Sequence, residues 1–129
     1  MTLNSAVRIS GMALRLLFVL QLILGISIWV GHDLLPIGVH LLVGILIVIV
    51  VWFLGVAQGL LKTGSIGLTL GTFIAGLLLA FVGLFQSAWL IGGAHWVIQV
   101  IHLLLALATV GLGEVSVARY RRGAGAPSA

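Results

Sequence analysis

The sequence contains no cysteine, and only two of its 129 residues are acidic. Without thiols there is no disulfide, no iron–sulfur cluster, no thiolate-ligated haem, no CxxCH haem attachment and no cysteine nucleophile. Charged residues make up 6% of the chain, against about 25% in an ordinary soluble domain. Apolar residues fill the difference: 62% are hydrophobic and the mean hydropathy is +1.37. These values indicate an integral membrane protein, and the length suits a single membrane domain over residues 1–129 with no separate soluble module. The net charge of +4 is not a nucleic-acid footprint. That would need a basic patch on one accessible face, and here the basic residues stand at the ends of apolar runs.

About 20 apolar residues cross the roughly 30 Å hydrocarbon core of a bilayer. Four runs qualify, at about residues 12–30, 36–58, 65–89 and 94–118. The breaks fall at Gly31-His32-Asp33, at Gly59 to Gly64 with Lys62, and at Gly92-Gly93. Asp33 is placed to cap the second helix, with Pro36 in its first turn, where a missing N–H costs nothing. The N-terminus, with Arg8 and Arg15 before an apolar run, looks like a signal peptide. It lacks a convincing small-x-small cleavage site before the next span, so an uncleaved first helix is expected. The tail from Gly123 to Ala129 is small and polar and is expected to be disordered.

All six basic residues fall on one side of this four-span layout: Arg8, Arg15, Lys62, Arg119, Arg121 and Arg122. The two opposite loops carry none. The positive-inside rule therefore predicts cytoplasmic termini in an inner or plasma membrane. Trp29, Trp89 and Trp96 gather at the outer interface as an aromatic belt, and Trp52 lies toward the inner end. Glu114, near the inner end of the fourth span, is expected to reach water or headgroups.

Two histidines, His40 and His102, sit inside the second and fourth apolar runs. Each is followed by Leu-Leu, and they lie 62 residues apart. An imidazole in hydrocarbon has no water to bond, so each marks a candidate functional site. A shift of 62 residues overlays the first pair of runs on the second without gaps. It matches Gly31 to Gly93, Gly25 to Ser87 and Gly44 to Ala106. The pattern predicts an all-α four-helix membrane bundle of two helical hairpins in a possible tandem repeat, with a site at the repeat interface. Chance and shared hydropathy would account for part of the match.

The second and fourth spans run in the same direction, so His40 and His102 fall at comparable depth and could hold one ligand between them. Gly44 lies four residues after His40 and Ala106 four after His102, each on its histidine's own face. Gly25 and Ser87 add small residues at similar depth. Ligand groups beside small residues suit a flat macrocycle such as haem. The competing readings are helix packing, since small residues are common at membrane helix contacts, and a metal or proton pathway. A zinc site would want three or four ligands, of which His95 could add one. His95, Gln99 and His102 form one polar stripe, and His95 could meet a haem propionate or a lipid headgroup. His32 is read as solvated. The pairs Gly55/Gly59 and Gly67/Gly71 have small-xxx-small spacing.

The layout, with His40-Leu-Leu-Val-Gly-Ile-Leu early in span two and His102-Leu-Leu-Leu-Ala-Leu-Ala early in span four, resembles one four-helix half of the haem A synthase family. The resemblance covers roughly residues 12 to 118. It implies one b-type haem per chain, with iron ligated by His40 and His102 near the outer surface. The chain corresponds to a single bundle, has no cysteine pair in the first outer loop and no acidic residue ahead of His40 in its helix. Haem binding is thus expected rather than haem oxidation. A looser resemblance is to the four-helix b-type cytochromes. The expected role is one-electron transfer or haem handling near a respiratory complex, with the bilayer, haem and a redox partner or larger membrane complex as partners. The alternatives are a cofactor-free accessory or assembly subunit and, less favoured for want of a mid-membrane acid, a small transporter.

Overall fold

The computed structural model describes residues 2–125. It is an all-helical bundle of α1 (Leu3–Trp29), α2 (Ile37–Gly59), α3 (Ile66–Phe85) and α4 (His95–Ala124), with a short 3-10 turn at Gln86–Ala88. Each of the four is long and apolar enough to cross a membrane, the third when continued through Ala88. The chain is an integral membrane protein whose outer surface, with side chains such as Leu16, Ile66 and Leu104 exposed, faces lipid.

Local chemistry sets the helix ends. The Thr2 and Ser65 hydroxyls accept hydrogen bonds from the Ser5 and Leu68 amides, capping α1 and α3. α1 stops at Gly31, whose φ is 75°. There the amides of Gly31 and His32 donate to the carbonyls of Ile28 and Ser27, the paired bonds of a Schellman stop. α2 departs from expectation. It begins at Ile37 with Pro36 at the cap position and no side-chain cap bond, so Asp33 does not cap it.

The helices also differ in length from the apolar runs. α1 and α4 extend beyond them at the basic end, because backbone hydrogen bonding continues through polar residues that contain no breaker, whereas the run lengths follow bilayer thickness. At 1.5 Å per residue, the 30 residues of α4 span about 45 Å. The third run, expected to reach Trp89, leaves α-helix at Phe85 and tightens into the 3-10 turn. Gly123 and Ala124, expected in a disordered tail, close α4; residues 126–129 of that tail lie outside the described residues.

α2 and α4 cross the short diagonal of the bundle and touch each other as well as both remaining helices, while α1 and α3 do not meet. The main core lies among α1, α2 and α4, built from Leu14, Leu24, Ile47, Val51, Leu54 and Val117 with their neighbours. Close approach is set by glycine. A Cβ at Gly113 would fall 2.7 Å from Leu14 Cδ2, and one at Gly59 2.5 Å from Thr69 Oγ1. Gly55 sits against Thr72 in the same α2–α3 seam, so the Gly55/Gly59 spacing does mark a helix crossing. Gly67 and Gly71 face open space or ordinary contacts, so the identical spacing on α3 does not. At the basic end of this seam the fully buried Gln58 amide donates to the carbonyls of Gly55 and Ser65 and accepts from the Ser65 amide, fastening the α2–α3 turn.

Candidate functional site

The α2–α4 diagonal brings the two intramembrane histidines together. His40, one turn into α2, and His102, two turns into α4, face each other with ring centroids 6.4 Å apart and planes inclined at 52°. A metal bound by two imidazoles lies about 2.0–2.1 Å from each nitrogen, and a ring centre roughly 1.2 Å behind it, so a collinear pair has centroids about 6.5 Å apart. The observed centroid spacing is close to that value, so His40 and His102 are near enough to hold one metal together were it bound between them.

Glycine on α1 and α3 lets the edges of the rings approach those helices closely. A Cβ at Gly25 of α1 would come within 3.2 Å of His40 Cε1, and one at Gly83 of α3 within 3.1 Å of His102 Cε1. The sequence repeat points to Ser87 for the second of these places. In the structure Ser87 is exposed in the 3-10 turn and lines neither hollow beside the histidines. Gly83, one helical turn earlier, supplies the room. The glycine-to-histidine segment is one turn longer in the second hairpin, and the gapless overlay cannot show this.

Buried polar groups concentrate here. Nδ1 of both histidines, Oε1 of Gln21 and Oε1 of Gln86 are buried without a hydrogen-bond partner. Buried polar atoms are rarely left so. The Gln21 amide donates to His40 Nε2 at 3.1 Å. Gln21 also approaches Gly44, where a Cβ would lie 3.1 Å from its Nε2. Gly44 thus admits the amide of a neighbouring helix.

Two hollows flank the histidine pair. The larger, about 160 Å³, is lined by Gln21, Gly25, His40, Gln86, Gln99, His102 and Ala106 with apolar neighbours. The smaller, about 50 Å³, lies toward α3 and includes Gly44 and Gly83. Gln21 and both histidines line both hollows, so these three side chains lie between them. His95 stands apart. Its Nδ1 donates to the Trp89 carbonyl at 3.1 Å and pins the start of α4 to the preceding loop. The expected stripe is therefore split, with Gln99 and His102 facing the hollow and His95 facing the loop. Among the described residues no three His, Asp or Glu side chains converge on one point, so a zinc set is not assembled.

The arrangement offers two opposed imidazole donors, free buried nitrogens, and apolar space on either side. These residues fit a flat metal-carrying group, which His40 and His102 would hold. No protein family, curated protein or solved structure matches this chain.

Sequence reasoning missed three groups: Gly83, Gln21 as the partner of His40, and the pairing of Glu114. Glu114 makes a two-bond ion pair with Arg15, at 2.9 and 2.8 Å, across the α1–α4 seam.

Proposed function

We propose that this chain is a membrane haem-binding protein that carries one b-type haem between His40 and His102 and serves one-electron transfer or haem handling beside a larger membrane complex. The observation that carries the proposal is the 6.4 Å separation of two opposed imidazoles in the apolar part of the bundle. Burial beside small residues supports it. When bound, the haem supplies one-electron chemistry, and the protein sets its potential through ligands, burial and neighbouring hydrogen bonds.

The chain's own residues divide the remaining work. His40 and His102 hold the metal from α2 and α4. Gly25, Gly83 and Ala106 leave room around the rings. Gln86 and Gln99 are the amides in the larger hollow that can meet the carboxylate side chains of a macrocycle. Exclusion of water from the site falls to Leu22, Ile26 and Leu103, which line the same hollow. The distribution of arginine and lysine supports cytoplasmic termini, with the histidine end in the opposite leaflet of an inner or plasma membrane.

Titration of the purified apoprotein with haemin tests the proposal. A low-spin Soret band that saturates at one haem per chain is expected. No Soret band after expression and titration with ample haem would remove the cofactor, and the cofactor-free accessory-subunit reading would replace it.

A further inference from the structure

At the basic end of the α1–α4 seam lies a cleft of about 500 Å³, lined by Arg8 on α1 and Arg121 on α4. Its floor is closed by Tyr120, whose hydroxyl donates to Asn4 Oδ1 at 2.7 Å, and by the buried Val7. Two helical turns deeper on the same two helices, Arg15 and Glu114 form their ion pair. The seam therefore has two rungs with the same spacing on both helices. The deeper rung pairs a cation with an anion. The outer rung sets two cations across a cleft.

Among the described residues no carboxylate forms an ion pair with that outer rung. Asp33 and Glu114 are the acidic side chains of the sequence. Asp33 lies in the α1–α2 loop at the far end of the bundle, and Glu114 is bonded to Arg15 and acts on Arg121 only at longer range. Neither Arg8 nor Arg121 has a hydrogen bond or ion pair among the described residues. Guanidinium groups match phosphate oxygens with paired hydrogen bonds. Basic clefts between membrane helices hold anionic lipid headgroups. On α1, Arg8, Met12 and Arg15 share one face, and Met12 is 57% exposed. An acyl chain descending from the cleft would run over it.

We propose that Arg8 and Arg121 bind the phosphodiester of one anionic phospholipid, whose acyl chain lies along the α1–α4 seam. The site is independent of the histidine pair. A zwitterionic choline lipid offers the same phosphate but adds a quaternary ammonium that two arginines repel. The site therefore prefers phosphatidylglycerol.

The test is native mass spectrometry of the full chain in detergent, with phosphatidylglycerol or phosphatidylcholine added in equal amounts. One phosphatidylglycerol is expected to stay bound in preference to phosphatidylcholine. Arg8→Gln and Arg121→Gln are each expected to lower its retention about fivefold. Lys62→Gln, the same charge change at the same end but off the seam, leaves retention unchanged. Arg8→Lys and Arg121→Lys recover most of it, which separates charge from misfolding. Equal retention of the two lipids, or an equal loss with Lys62→Gln, would overturn the proposal. So would displacement of the lipid by millimolar inorganic phosphate, which would make free phosphate the occupant.

Discussion

The Gln21 amide donates to His40 Nε2 at 3.1 Å, and among the described residues His102 has no such partner. The residue 62 positions after Gln21 is Gly83, which lies against His102 Cε1. Two histidines that look equivalent in the sequence are thus held differently. His40 is anchored by a neighbouring helix, whereas His102 is positioned by packing alone.

This asymmetry predicts the effect of removing the amide. Gln21 occupies His40 Nε2 and lines both hollows, so a macrocycle bound through that nitrogen must displace it. Hydrogen bonds between membrane helices are worth about 0.6–1.7 kcal/mol, equivalent to roughly three- to eighteen-fold in affinity. Gln21→Ala is expected to bind haem tighter by a factor in that range. The reduction potential should change little, because the amide is already displaced from His40 in the haem-bound protein. Haemin titration and a spectroelectrochemical titration check both; weaker binding would make Gln21 a supporting contact.

The misplaced glycine gives a paired test. A side chain at position 83 must push on His102, and overpacking of this kind costs about 1–3 kcal/mol. Gly83→Leu should therefore lose haem occupancy, while Ser87→Leu, exposed in the 3-10 turn, should not. Gly25→Leu should behave like Gly83→Leu. The readout is the ratio of Soret to protein absorbance in variants that still insert and remain monodisperse.

The ion pair in the α1–α4 seam predicts rescue by charge reversal. Glu114→Arg alone sets two cations side by side and should lower the melting temperature. Adding Arg15→Glu restores opposite charges and should recover much of the loss. Because both side chains are partly exposed, the recovery should shrink in high salt.

Orientation is tested separately. Reporter fusions after Arg122 should show cytoplasmic activity and fusions at Gly93 the opposite. A C-terminus on the far side would move the histidines into the cytoplasmic leaflet.

Much of the fold was legible because bilayer thickness imposes a length on each apolar run and glycine punctuates the turns. Four helices, their approximate bounds and the comparable depth of His40 and His102 follow from that. The rest was not legible for particular reasons. Ser87 and Gly83 lie one turn apart on the same chain, and a 3-10 turn decides which of them approaches His102. The contacts Gln21–His40 and Arg15–Glu114 join residues on different helices, and helix rotation about its own axis is only weakly encoded in sequences that are apolar all round. His95 has the spacing of the polar stripe, yet its first-turn position gives it a loop carbonyl to bond instead of the cavity.

The most direct test of the account compares the reduced spectra of four histidine variants purified with haem. His40→Ala and His102→Ala should each lose haem or become high-spin, since each leaves the iron with one protein ligand. His32→Ala and His95→Ala should keep a low-spin Soret with sharp alpha and beta bands, because His32 lies in the α1–α2 loop and His95 bonds the Trp89 carbonyl. If His95→Ala abolishes the low-spin spectrum while His102→Ala preserves it, His102 is not the ligand and the site as described is wrong.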